Sequence, residues 1–382
     1  MPTHDTTNIP EWWRETTLGE VVKTNISSIG KDFEFDEILY LDTGSITENK
    51  IESLQEYILS DAPSRAKRLI KDQDIVYSTV RPNQKHFGFI ENPQENLVVS
   101  TGFCVITTNE EKGVPKFLYY FLTQDFITNT LQQTAEHTTS TYPSIRPDHI
   151  EDLEIILPPI TEQQAIADIL SSFDAKIELL WGQNETLEST AQTIFHEWFG
   201  RYSVESPKEL PEGWRVGRLS DISEITSWKR PWEISDKKIE NFPIPLIGAS
   251  KIMGYVRDYL FEGKTLVIGR VGTHGEIQKF NEKIYPSDNT LVIKSEYFVF
   301  VYLILKWIDY SKMNRWAVQP LITQTDLKNY PIILPNSDIF NTFKLATDAI
   351  FEKIENNNFQ IQSLSKTRDE LLPRLMSGEV RV

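Results

Sequence analysis

Gly269-Arg270-Val271-Gly272-Thr273-His274-Gly275 follows the β-rich run Leu266-Val267-Ile268 and is the best glycine-rich loop for meeting a phosphate. It lacks the Lys-Ser/Thr of a nucleotide loop. Glu276 to Phe280 continues as a strand, so no helix N-terminus is on offer. Three readings stay open: a nucleotide cradle, a plain hairpin turn, or a loop that faces DNA. A second pattern, Pro147-Asp148 with Asp174-Ala175-Lys176 downstream, has the residue types of a metal nuclease. Asp174 and Lys176 fall on a heptad helix, however, and cannot easily join Asp148 around a metal. His-Glu-x-x-His, Walker A, nucleophile-elbow, zinc-cluster and Asn/Asp-Pro-Pro-Tyr/Phe motifs are all absent from the sequence. The chemistry expected of this chain is binding, with no catalysis and no metal site.

An internal repeat supplies the elements that position these residues. Pro10-Glu11 with Trp13-Arg14 and Leu18 returns 201 residues later as Pro211-Glu212 with Trp214-Arg215 and Leu219. Pro143-Ser144-Ile145 and Ile155-Ile156-Leu157-Pro158 return at an offset of 177 as Pro320-Leu321-Ile322 and Ile332-Ile333-Leu334-Pro335. Between the two offsets the copies differ by insertions, where loops belong. Each copy reads as mixed α/β. Strands are expected at Gln73 to Ser78, Leu97 to Val99, Thr265 to Ile268 and Thr290 to Ile293, and helices at Lys116 to Leu122 and Tyr297 to Trp307.

Each copy closes on a long heptad helix. Ile166, Leu170, Phe173, Ile177, Leu180, Asn184, Leu187, Ala191, Ile194 and Trp198 alternate by four and three, which is a coiled-coil seam. The second seam is Phe343, Thr347, Ile350, Ile354, Asn357, Ile361, Leu364, Arg368, Leu371 and Leu375. Asn184 and Asn357 would fix register at a cost in stability. Gly182 weakens the first helix by about 1 kcal/mol, and Pro373 must kink or stop the second. Thr161 to Gln164 reads as a capping box. Helices of roughly 35–39 residues would span about 50–58 Å. Their simplest pairing is antiparallel, with a globular unit at each end and an approximate two-fold axis. The expected fold is therefore α+β: two mixed α/β globular domains in tandem repeat, separated by two long antiparallel coiled-coil helices. The expected boundaries are 1–160, 161–199, 200–336 and 337–382.

The chain has 382 residues, one cysteine and a net charge of −16. Cys104 alone excludes a disulfide framework and fits a reducing compartment. The start has no basic and apolar leader, and Tyr297 to Ile308, interrupted by Lys306, falls short of the ~18 residues of a membrane span. A soluble, cytoplasmic protein without membrane contact is expected. The charge is uneven: −12 over residues 1–160, −6 over 161–199 and +3 over 210–336. That balance argues against a binder driven by phosphate contacts alone. It leaves open a reader of base edges working beside a more basic partner.

Leu157-Pro158-Pro159 with Glu162-Gln163-Gln164-Ala165-Ile166-Ala167, then Ile169-Leu170 and Phe173-Asp174, resembles the DNA-specificity subunit of type I restriction–modification enzymes. The paired Pro-Glu-x-Trp motifs and the ending Leu371 to Val380 share the resemblance, which covers nearly the whole chain. The second helix departs from the family pattern, with Pro335-Asn336-Ser337-Asp338-Ile339 at its start.

The resemblance implies a subunit without chemistry of its own, whose two target-recognition domains read the halves of a bipartite, gapped sequence in double-stranded DNA. It implies that the helices set the gap and dock two methyltransferase subunits using S-adenosylmethionine, and that motor-nuclease subunits using ATP and Mg join them. The alternative is a scaffold or inhibitor that binds methyltransferase subunits without reading DNA. Residue chemistry then nominates the readers. In the first copy these are Ser78, Arg81, Lys85, His86 and the polar loop Thr138, Thr139, Ser140, Thr141, Tyr142. In the second they are Trp228, Lys229, Arg230, Ser250, Lys251, Arg270, Thr273, His274, Arg315 and Gln319. The plainer alternatives are solvated arginines, a core Trp228 and a flexible Thr loop. Trp13 and Trp214 are expected to anchor structure.

Overall fold

The two repeated motifs of each copy are the two strands of one ladder. In the computed structural model, which describes residues 10–138, 143–270, 276–310 and 321–382, Arg14–Thr17 pairs antiparallel with Glu154–Leu157, and Arg215–Arg218 with Pro331–Leu334. Arg14 faces Leu157 and Arg215 faces Leu334, so the register is the same in both. The change of offset from 201 to 177 is the difference in length of what loops out between the strands. The fold is α+β, and the chain parts into two compact units, Met1–Leu179 with Gln360–Val382 and Leu180–Phe359. The division cuts through both long helices, at places other than the helix ends where the sequence boundaries fall.

The helices in chain order are α1 (Pro115–Thr123), α2 (Asp125–Thr138), α3 (Pro147–Glu151), α4 (Ile160–Phe199), α5 (Phe298–Trp307), α6 (Gln324–Lys328) and α7 (Ser337–Met376). In the first unit a four-stranded antiparallel sheet runs in the order Val22–Thr24, Phe103–Thr108, Ile75–Ser78, Phe87–Phe89. Alternation sorts its side chains: Ile75, Tyr77, Cys104 and Ile106 share a core with α1, while Val76, Phe103 and Val105 meet Leu41, Leu97 and Val99 of a second sheet. Apolar on both faces, these strands read as unbroken hydrophobic runs. The second sheet places Glu37–Leu41 between Gln55–Ile58 and Leu97–Ser100, with Ala66–Leu69 outside.

The second unit repeats this plan. Its four-stranded sheet runs Glu224–Thr226, Thr290–Lys294, Thr265–Gly269, Ile277–Phe280, and a smaller sheet sets Ile244–Ile247 between Ile252–Val256 and Tyr285–Pro286. Leu266, Ile268, Leu291 and Ile293 share a core with α5, and Val267 faces Ile247 and Ile284.

Within each unit the long helices run antiparallel. In the first, Arg368 reaches Asp174, and Ile166 and Leu170 share a core with Leu375 and Met376. In the second, Asn184 meets Asn357, and Phe195 lies 6.0 Å from Phe343. Ile166, Leu170, Ile177, Leu180, Ile354, Asn357 and Ile361 are buried. Phe173, Asn184, Leu187, Ile194, Trp198, Ile350, Leu364 and Leu371 are half-buried.

Each long helix has 40 residues, more than the periodicity implied. The capping box is absent, because Pro159 O already accepts from the Glu162 and Gln163 amides and makes Thr161 an interior residue. Gln164 instead turns forward to Asp168 at 2.7 Å. Buried Gln163 accepts from the Val114 amide at 2.9 Å and donates to Pro158 O at 2.9 Å, tying α4 to the start of α1. The second helix has its own cap, the Asn336 carboxamide accepting from the Ile339 amide at 3.0 Å. Pro373 sits in the last turn of α7, and Gly378 closes the end with φ +74° under Pro10 and Trp13.

Candidate nucleic-acid interface

In each unit one edge gathers the polar turns at the end of the central strand. In the first, Thr79 follows that strand, donates its amide to Gly102 O at 2.8 Å and accepts from the Ile145 amide at 2.8 Å. Arg81 donates its amide to Pro143 O at 3.0 Å. The chain entering Ile145 therefore lies beside the turn of residues 79–86. Gly102 completes the edge, since a Cβ there would stand 2.8 Å from Thr43.

The nominated residues divide on this edge. Arg81 is exposed. Ser78 is buried, and its Oγ donates to Val80 O at 3.0 Å and accepts from the Val80 amide at 3.2 Å, so it shapes the turn without reaching solvent. Lys85 is half-buried between Glu48 and Asp125, each at 3.0 Å. Burial pulls its pKa down, but the two carboxylates outweigh that and raise it. The His86 ring Nδ1 lies 2.6 Å from Ile46 O and 3.2 Å from Thr47 Oγ1. Ser78, Lys85 and His86 are thus committed to partners inside the unit. Thr138 is the last residue of α2 and not part of a loop, while Thr139, Ser140, Thr141 and Tyr142 lie outside the described residues.

The second edge is built from the same positions. Arg270 donates its amide to Asn289 O at 2.9 Å and accepts from the Ile322 amide at 3.1 Å, the same pattern as Thr79. Its Nε also reaches Ile322 O at 3.4 Å, and the side chain is half-buried. Gly269 lets a neighbouring turn come close, because a Cβ there would be 2.8 Å from Ala249 Cβ. Gln278 holds that turn by donating to Gly248 O at 2.8 Å and Ala249 O at 3.2 Å. Ser250 and Lys251, both exposed, are thereby set beside the end of the strand.

Trp228, Lys229 and Arg230 are exposed on the next segment, with the Trp228 ring 6.0 Å from Phe261. Ser227 links this segment to Gln324 at 3.4 Å, two residues beyond Ile322. Trp228 is not core, and fully exposed Trp232, which the sequence reading missed, continues the aromatic and basic strip. Thr273, His274, Arg315 and Gln319 lie outside the described residues.

In each unit a tyrosine is fastened to a carboxylate of α4. Tyr120 of α1 donates to Asp174 at 2.5 Å, and Arg368 of α7 holds the other oxygen at 2.6 Å. Burial and the Asp174 charge push the Tyr120 phenol up, so it stays protonated as the donor. In the second unit Tyr302 of α5 donates to Glu188, which also takes Lys279 at 2.8 Å. Burial alone would raise the Glu188 pKa, but Lys279, Tyr302 and Lys306 lower it below the usual carboxylate value. Asp174 is thereby occupied, and Asp148 pairs with Arg146 at 2.7 Å. No metal-binding group of three or more His, Cys, Asp or Glu occurs among the described residues. No helix among them is long and apolar enough to cross a membrane. Trp13 is buried, its Nε1 donating to Glu162 at 3.1 Å, and Trp214 packs 5.7 Å from Phe199.

The family model described as the type I restriction modification DNA specificity domain matches residues 10–189 and 211–361. The chain belongs to this family. The matches begin at Pro10 and Pro211, the prolines of the repeated opening motifs. The type I restriction enzyme HindI specificity subunit of Haemophilus influenzae is 26% identical over 462 residues, covering 96% of this chain and 99% of that protein. The MjaIX specificity subunit of Methanocaldococcus jannaschii is 28% identical over 428 residues, covering 95% of this chain and 97% of that protein. The crystal structure of a type I restriction–modification S subunit from M. genitalium superposes with a TM-score of 0.56 at 17% identity, covering 98% of both chains, a likeness of fold.

Proposed function

We propose that this chain is the DNA-reading subunit of a type I restriction–modification assembly and has no chemistry of its own. The domain of residues 1–160 would read one half of a bipartite, gapped target and the domain of residues 200–336 the other. The helical segments, 161–199 and 337–382, would set the gap and dock two methyltransferase subunits. S-adenosylmethionine belongs to those subunits, and ATP with Mg to motor-nuclease subunits where present; the assembly works in the cytoplasm. The single observation that carries this reading is the repeated edge: Thr79 and Arg270 make the same backbone bonds in the two units, each beside exposed polar turns. Two readers of one build and different side chains suit a target of two unlike halves. The acidic balance of −16 fits reading of base edges while basic partners supply phosphate contacts.

Enrichment from a random duplex pool by the assembled chain and methyltransferase tests the proposal. Two short determined blocks flanking an undetermined spacer of fixed length are expected, and a single continuous block or no enrichment would contradict it.

A further inference from the structure

The turn that joins Ile75–Ser78 to Phe87–Phe89 holds two non-glycine residues in the left-handed region, Arg81 at φ 48° and Lys85 at φ 55°. Such conformations persist only where the surroundings overdetermine them. Here they are overdetermined. The Arg81 amide donates to Pro143 O at 3.0 Å, Gln84 to Arg81 O at 2.9 Å, Lys85 to Pro82 O at 2.9 Å, and Glu48 to Lys85 O at 2.9 Å. Gln132 of α2 accepts from the Asn83 amide at 3.2 Å. Pro82 is buried beneath, and the Lys85 ammonium is held between Glu48 and Asp125.

At the apex of this bracket Asn83 and Gln84 are exposed. Both backbones are fixed, while no hydrogen bond joins either carboxamide to another described residue. A tip whose backbone is held this firmly while its carboxamides stay exposed is built to present them to something outside the fold. A carboxamide carries no charge to spend on phosphate, but offers one donor and one acceptor in a plane, the complement of adenine N6 and N7 in the major groove. Fixing the tip beforehand lowers the ordering cost of binding.

Resting on the function proposed above, we infer that Asn83 and Gln84 are the base-reading pair of the first unit and that adenine is the base they recognise.

The test uses the full chain with its methyltransferase in a host otherwise free of adenine methylation, mapping N6-methyladenine for wild type, Asn83→Ala and Gln84→Ala. Each variant should keep a gapped motif in which an A·T position of one half-site is relaxed about ten- to hundredfold, with the other half-site unchanged. Asn83→Gln and Gln84→Asn, which keep the carboxamide but move it by one methylene, should lower methylation at the same position and nowhere else. An unchanged motif in the alanine variants, or an even loss of methylation with no base position relaxed, overturns the inference. Both of those outcomes leave a gapped wild-type motif standing. A wild-type chain that directs no gapped motif removes the underlying reading instead.

Discussion

Arg270 in the second unit stands where Thr79 stands in the first: each amide donates to the turn before the neighbouring strand, at 2.9 and 2.8 Å, and each carbonyl accepts from the isoleucine of the repeated Pro-x-Ile motif. The fold thus fixes the position and leaves the side chain free to differ. A cation lies at this point in the second unit, whereas in the first it comes two residues later, at Arg81.

Arg270→Ala should weaken discrimination in the half-site read by the second unit by about 1–3 kcal/mol. Thr79→Ala, at the equivalent position, should change little. Competition binding of the assembled complex with duplexes altered in one half at a time checks both.

Gly269→Ala would press a methyl group on Ala249, whose Cβ lies 2.8 Å and whose O lies 3.0 Å from the new Cβ. Overpacking of this kind costs about 1–3 kcal/mol and should displace Ser250 and Lys251. The expected outcome is a lowered unfolding midpoint together with reduced recognition of the same half-site.

Asn357 is fully buried in the seam, donates to Asn184 Oδ1 at 2.9 Å and leaves its own Oδ1 without a partner. Replacing both residues together by leucine should raise stability while relaxing the register of the helices. Asn184→Leu alone should cost about 1–3 kcal/mol, because the buried Asn357 donor loses its 2.9 Å acceptor. Denaturant unfolding of the two variants beside the wild type distinguishes these effects.

Glu188 has its pKa lowered in the folded chain; burial opposes the shift, and the Lys279 and Tyr302 hydrogen bonds drive it. A depressed carboxylate stabilises the fold above its unfolded value, near pH 4.3, and that contribution fades as pH falls through the folded value. Glu188→Gln should cost about 2 kcal/mol at neutral pH and flatten the acid limb of the stability profile. An equally steep acid limb in the variant would show that Glu188 does not carry it.

The sequence showed the frame of this fold better than its surface. Repeated motifs and heptads are periodic or duplicated, so the duplication and the seams of α4 and α7 could be seen before any coordinates, whereas the pairing of Arg14–Thr17 with Glu154–Leu157 could not. The role of Gln163 could not: its partners are a backbone amide 49 residues away and the Pro158 carbonyl. Lys85 and His86 looked like readers because their partners, Glu48 and Ile46, are about 40 residues off in sequence. Asn83 and Gln84 were passed over because single exposed carboxamides in a turn carry no pattern. Only the left-handed residues around them mark the turn as built for a purpose, and backbone angles are not written in residue types.

The most direct test of the account is to map N6-methyladenine across the genome of a host carrying this gene with its methyltransferase, and again with this gene deleted. One gapped, two-part motif should vanish on deletion. An unchanged methylome, with the methyltransferase shown to be active, would contradict it.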